Sequence, residues 1–151
     1  MAEALDNGQI EMISFEIGGQ EFCIDISVVR EIRGWTPATA MPQTPGYIRG
    51  VINLRGAVMP VLDLRNRLGL GRTEPSSRHV IVVVQLDSRM VGLLVDAVQE
   101  TFMVDAALLQ PPPPMDTAGE LFVDAIIPLE GRMLSRLVVG ALMPGGSALA
   151  A

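Results

Sequence analysis

Phe22-Cys23-Ile24-Asp25-Ile26-Ser27-Val28-Val29-Arg30-Glu31 reads as an alternating strand followed by a short turn, and it recurs 69 residues on as Val91-Gly92-Leu93-Leu94-Val95-Asp96-Ala97-Val98-Gln99-Glu100. Each copy runs from apolar alternation into a Ser or Asp, then a Val and a Glu at matched positions. A second correspondence, at an offset of 75, sets Ile52-Asn53-Leu54-Arg55-Gly56 on Ile127-Pro128-Leu129-Glu130-Gly131. Both copies carry Leu, a charged residue and Gly where a hairpin must turn. The identities are few, so chance similarity between hairpins is the competing explanation. The order of elements favours two related β lobes.

Working outward, four pairs of apolar runs surround turn residues. Met12–Ile17 and Glu21–Ile26 flank Gly18-Gly19, and Tyr47–Leu54 and Ala57–Leu62 flank Arg55-Gly56. Val80–Leu86 and Met90–Val98 flank Asp87-Ser88, and Leu121–Leu129 and Met133–Val139 flank Glu130-Gly131. Gly accepts the positive φ that two-residue hairpin turns require. Phe22, Ile24 and Ile26 are expected on one face, with Glu21, Cys23 and Asp25 on the other. Val80–Leu86 and Met90–Val98 are apolar on both faces, which predicts strands buried on both sides. Ser27 is expected to cap a helical turn through Arg30, and Asp105 to cap Ala106–Leu109 before Pro111–Pro114. Pro37, Pro42 and Pro45 exclude a central strand from 36–46.

The predicted fold class is all-β with short helices, as two small five-stranded barrels, since closure removes exposed sheet edges. Residues 1–10 and 145–151 are expected as tails, 11–144 as the folded domain and 69–78 as the loop between lobes. Neither half alone buries enough surface, so the lobes are expected to share an interface.

Composition narrows the function. The chain has 151 residues, 49% apolar but only 4% aromatic, so the core must be mostly Val, Ile, Leu and Met. The formal charge is −6, and all eleven basic residues are Arg. The absence of Lys reads as genomic base composition. The Arg are scattered along the chain, with no basic stripe for a phosphate backbone, which argues against nucleic acid. No apolar run reaches the roughly 18 residues needed to span a bilayer. The single Cys23 excludes an internal disulfide, and the chain reads as cytoplasmic.

No catalytic constellation stands out. One His and one Cys cannot build a structural zinc site. His79 opens an apolar strand without a nucleophile elbow nearby. Gly69-Leu70-Gly71 lacks the third Gly and the helix of a phosphate loop. Asp63, Asp96, Glu100 and Asp124 fall singly at strand ends, leaving an acid/base pair among them open. No metal or cofactor is expected, and sheet edges and grooves for a partner are what the chain offers.

The segment Asn53-Leu54-Arg55-Gly56-Ala57-Val58-Met59-Pro60-Val61-Leu62-Asp63-Leu64-Arg65 closely resembles the signature of the CheW family of chemotaxis coupling proteins. Ile24-Asp25-Ile26, Val29–Gly34, Thr44–Val51 and Val91–Asp96 resemble further family segments in the same order, covering about Ile13 to Met143. The resemblance implies two SH3-like five-stranded barrels and no catalysis. It implies a cytoplasmic adaptor bridging chemoreceptor tips to the regulatory domain of the histidine kinase CheA. It also implies a receptor-binding groove between the barrels, to which Val29, Glu31, Gly50, Asn53, Leu54, Arg55 and Gly56 are assigned. Each has an alternative: Val29 as core, Glu31 as a solvated cap and Gly50 as a site of close backbone packing. Arg55 is the foremost candidate, because a guanidinium on an exposed turn can grip a carboxylate or a carbonyl. The chain departs from the family where Ser135–Pro144 replaces a polar terminal helix and where four prolines run from Pro111.

Overall fold

A computed structural model describes residues 8–113 and 122–143. Ten strands form two five-stranded antiparallel-rich sheets. β1 (Gln9–Ile17), β2 (Gln20–Asp25), β8 (Ala97–Asp105), β9 (Val123–Leu129) and β10 (Arg132–Leu137) make one, in the order β8-β1-β2-β10-β9. β3 (Val29–Gly34), β4 (Ile48–Leu54), β5 (Ala57–Asp63), β6 (Val80–Leu86) and β7 (Arg89–Val95) make the other, in the order β3-β6-β7-β5-β4. Two 3₁₀ turns, η1 (Ile26–Val28) and η2 (Ala106–Leu108), and two helical turns, α1 (Leu64–Arg67) and α2 (Val139–Leu142), complete the described elements. The four hairpins turn at the dipeptides read from the sequence. Gly18-Gly19, Arg55-Gly56 and Glu130-Gly131 have positive φ at both positions, as a tight turn matched to strand twist demands.

The chain divides into unit 1 (Met1–Val28 with Val98–Ala151) and unit 2 (Val29–Ala97). Substituting β3 for β8, β6 for β1, β7 for β2, β5 for β10 and β4 for β9 turns one sheet order into the other. The register follows: parallel pairing sets Arg136 against Cys23 in unit 1 and Val61 against Gly92 in unit 2. Those residues correspond through the offsets of 75 and 69 in the sequence. The duplication is therefore real, but its repeats are not the units. Unit 2 takes β3, β4 and β5 from the first repeat and β6-β7 from the second, and unit 1 is built the converse way.

This exchange corrects the expected boundary. Residues 69–78 join α1 to β6 inside unit 2, whereas the chain passes between units at Val28/Val29 and Ala97/Val98. Two edge strands, β3 and β8, were not read from the sequence, because charged residues interrupt them and Ile32 and Met103 face outward. Asp25, not Ser27, caps η1 by accepting the Ser27 amide (2.9 Å), and Arg30 belongs to β3. β1 begins at Gln9, within the stretch 1–10 expected as a tail. The last strand ends at Leu137 and gives way to the buried turn α2. The expected tail 145–151 lies outside the described residues.

Each sheet curls until its ends meet. In unit 2, Thr39 and Val51 exchange two backbone hydrogen bonds of 2.9 Å, tying the segment after β3 to β4. In unit 1, Gln110 and Ile126 exchange bonds of 3.0 and 2.7 Å and tie the segment after η2 to β9. Inside unit 2, Ile52, Leu54, Met59, Val61, Ile81, Val83 and Leu94 form an aliphatic core. Ile10, Met12, Cys23, Val104, Ile127 and Leu134 do so in unit 1. Cys23 thus faces the barrel interior rather than solvent, and burial pushes its thiol up to about 12. A thiol held neutral there is a small apolar filler.

Gly50 is what permits closure in unit 2. Its φ of +145° suits glycine, and a Cβ there would stand 2.3 Å from the Thr39 carbonyl oxygen. Backbone crosses where a side chain would lie. Gly19 has a positive φ too, but a Cβ there meets nothing within 4 Å. Gly50→Ala should therefore cost about 3 kcal/mol or more, combining backbone strain and overpacking. Gly19→Ala should cost only about 1 kcal/mol. Urea unfolding of the two variants checks the difference, and equal losses would contradict the closure argument.

Candidate functional site

Glu31 and Arg33 share one face of β3 while Ile32 and Gly34 are exposed on the other, and the register shifts between Val29 and Glu31. β3 and β4 are opposite ends of the sheet order, yet closure brings the β4–β5 turn beside β3. Arg55 there donates through Nη2 to Glu31 Oε1. Arg33 Nη1 reaches the other oxygen, Glu31 Oε2, at 3.3 Å. One carboxylate is therefore shared by two guanidiniums. The Arg55 hydrogen bond is the main cause that holds the Glu31 carboxyl below the usual carboxylate range, against partial burial and with help from Arg33.

The turn fixes Arg55. Its φ is +53° and that of Gly56 +89°, and Asn53 Oδ1 accepts the Gly56 amide at 2.9 Å. Leu54, one residue earlier, is 4% exposed and anchors the hairpin in the core. The Arg55 side chain, by contrast, is 71% exposed. Val58, on the same hairpin, is 69% exposed although apolar.

All seven residues assigned from the sequence lie in unit 2. The structure brings Glu31 and Arg55 together at the surface. Asn53 and Gly56 shape the turn, Leu54 is core, Gly50 closes the barrel and Val29 is half-buried at the start of β3. Arg33 was missed. The spacing Glu31-x-Arg33 could have revealed it, since residues two apart on a strand share a face.

Unit 1 has an ion cluster of different make-up, in which the counterpart of Arg55 is Glu130 and another Arg takes its place. Glu100, the repeat counterpart of Glu31, accepts from Arg132 Nη2 at 2.6 Å, and Arg132 Nη1 reaches Glu21 Oε1 at 2.6 Å. Two carboxylates share one guanidinium there. The wider charge follows the same division. Unit 2 holds nine Arg against five acidic residues, net +4, while the described part of unit 1 holds two Arg against eight, net −6. Nine of the eleven Arg thus fall between Arg30 and Arg89, a bias along the chain that the expectation of scattered Arg did not include.

The later half of the signature is an internal brace. Asp63 is fully buried and accepts the Thr73 amide (2.9 Å) and hydroxyl (2.6 Å), while Arg49 donates to the Thr73 carbonyl (3.2 Å). This pins the 69–75 stretch to the barrel and leaves a cleft of about 250 Å³ lined by Arg49, Arg72, Thr73, Glu74 and Pro75.

His79 stands between Ser76 and Asp96. Its Nδ1 lies 3.2 Å from Ser76 Oγ and its Nε2 3.5 Å from Asp96 Oδ1. The row resembles a hydrolytic triad, but Nδ1 already accepts the Ser76 amide at 3.0 Å. The lone pair that would take the serine proton is engaged in holding the turn. Among the described residues no group of three or more His, Cys, Asp or Glu could hold a metal ion, and no helix is long and apolar enough to cross a membrane.

A depressed carboxyl pKa stabilises the folded state above the ordinary carboxylate range, and that contribution is lost as pH falls through the folded value. Carboxyl ¹³C titration of Glu31 should therefore move its midpoint upward in Arg55→Ala, and by a smaller amount in Arg33→Ala. An unmoved midpoint in Arg55→Ala would contradict the ion pair.

Residues 11–145 match the CheW-like domain family. The chain is 49% identical over 144 residues to "Chemotaxis protein CheW" of Rhizobium meliloti (strain 1021), covering 95% of this chain and 93% of that protein. It is 31% identical over 134 residues to the protein of the same name from Bacillus subtilis (strain 168), covering 88% and 86%. The crystal structure of the scaffolding protein TtCheW from Thermoanaerobacter tengcongensis superposes with a TM-score of 0.84 at 32% identity, covering 91% of this chain and 94% of that one. With the signature, the two duplicated barrels and these relatives in agreement, the chain belongs to the CheW family of chemotaxis scaffold proteins.

Proposed function

We propose that this protein is a non-enzymatic adaptor that couples the cytoplasmic tips of chemoreceptors to the regulatory domain of CheA. It would act in the cytoplasm at membrane-associated receptor arrays, with no cofactor, nucleic acid or membrane insertion. The observation that carries the reading is Arg55. A rigid turn presents its guanidinium to solvent while Glu31 holds it only from one side. Arg in such a setting is enriched among residues that dominate binding energy. The names of the relatives, chemotaxis protein and scaffolding protein, support the same reading.

Within this reading the assigned residues divide by role. Arg55 and Glu31 are contact residues, and Val29 flanks them on β3. Gly50, Asn53, Leu54 and Gly56 position the turn that carries Arg55. Isothermal titration with a chemoreceptor cytoplasmic fragment and with a CheA regulatory domain tests the proposal. Wild type should bind both, and Arg55→Ala or Glu31→Arg should weaken at least one by about tenfold or more. A wild-type protein that binds neither would refute the adaptor role.

A further inference from the structure

His79 is the only histidine of the chain, and it closes the stretch 69–79 immediately before β6. Asp63 ties that stretch down at Thr73, and His79 ties it down again at Ser76. The imidazole Nδ1 accepts the Ser76 amide at 3.0 Å, and the Ser76 hydroxyl oxygen lies 3.2 Å from the same nitrogen. An Nδ1 that accepts carries no proton of its own, so the ring is neutral with its proton on Nε2. Nε2 stands 3.5 Å from Asp96 Oδ1, and Arg65 on α1 donates to the other oxygen at 2.9 Å. The turn itself is closed by the His79 amide on the Ser76 carbonyl (3.0 Å), and the Arg78 amide donates to Ser76 Oγ (3.2 Å). Beyond the end of β3, the Trp35 amide donates to the His79 carbonyl (3.1 Å), while Arg33 is turned to Glu31. The charged groups around the ring are thus Asp96 after β7, Arg65 on α1 and Arg78 in the turn.

We propose that His79 is a proton-operated latch on this stretch, holding the Ser76 amide when neutral and releasing it when the ring takes a second proton. The incoming proton binds Nδ1, because Nε2 already carries one. Nδ1–H then faces the Ser76 N–H, two donors at hydrogen-bond distance, and the amide must turn away. A replacement partner is in place. The Ser76 hydroxyl oxygen has two lone pairs, one taken by the Arg78 amide, and the other can accept from Nδ1–H. On the far side the imidazolium draws closer to Asp96 in a charge-assisted bond, while Arg65 keeps the second carboxylate oxygen in place. His79 thus trades a main-chain partner for side-chain ones, and the chain just before it is let go. That chain, between Thr73 and Ser76, forms part of the wall of the cleft shared with Arg49 and Arg72. Histidine is the side-chain type that changes charge between roughly pH 5 and 8, so mild acid operates the latch. The device belongs to unit 2 alone and does not depend on the adaptor reading.

The test is an NMR titration of the full chain, ¹⁵N-labelled, from about pH 8 to about pH 5. With one imidazole in the chain, its two ring nitrogens are the only ones of their kind in the spectrum. At the high-pH end Nδ1 should show the shift of a bare ring nitrogen and Nε2 that of a protonated one. As the ring takes its second proton, the Ser76 amide proton should move upfield along the same curve. The change should reach Glu74 and stop at Thr73, whose amide Asp63 holds. His79→Gln keeps an acceptor but takes no proton, so its Ser76 amide should hold the high-pH position throughout. His79→Phe offers no acceptor, so its Ser76 amide should sit at the low-pH position throughout. A proton on Nδ1 at the high-pH end would overturn the proposal, as would a Ser76 amide indifferent to the ring's titration. So would a His79→Gln chain whose Ser76 amide moves as in wild type, or a change spread through β6 and β7 as general acid loosening. If a variant fails to fold, the wild-type titration decides alone.

Discussion

At Gly50 the backbone of β4 passes so close to Thr39 that a single added carbon would meet its carbonyl oxygen. Through that approach Thr39 and Val51 pair, and the sheet β3-β6-β7-β5-β4 closes on itself instead of ending in two open edges. Closure is also what makes the candidate site. Glu31 on β3 and Arg55 on the turn that follows β4 belong to opposite ends of the sheet, and they meet because those ends meet. The aliphatic core of unit 2 fills the space that closure encloses, with Trp35 and Ala38 from the closing segment packed against it. Fold and site therefore share one structural requirement, and a glycine supplies it.

The duplicated design explains a second feature. Each unit completes its barrel with a hairpin from the other repeat, so the chain must cross between units twice. The equivalent registers Arg136/Cys23 and Val61/Gly92 keep the backbones alike, while the surfaces have diverged in charge.

Much of this was legible in the sequence. The Gly18-Gly19, Arg55-Gly56, Asp87-Ser88 and Glu130-Gly131 turns fall where read, because tight turns constrain φ and hence residue type. Glu31 and Glu100, matched across the repeat, each hold an Arg. What escaped was non-local. β3 and β8 are edge strands whose charged residues serve ion pairs across a closed barrel, so their alternation does not resemble a core strand. The hairpin exchange leaves no local mark, and the polar composition of 69–78 suggests a boundary although Asp63 and Thr73 pin that loop within one unit. Gly50, assigned as a contact residue with close backbone packing as its alternative, stands where backbone crosses backbone.

On the proposed reading, Glu31 holds Arg55 for the use of a partner and not for the fold alone. The charge-swapped double variant Glu31→Arg with Arg55→Glu separates the two. The swap can re-form the ion pair in reverse, so thermal stability should return toward that of wild type relative to either single variant. Affinity for the receptor fragment and the CheA regulatory domain should remain lost in the double variant, because a carboxylate would then face the partner. Recovery of binding together with stability would contradict the account and leave the pair a structural brace.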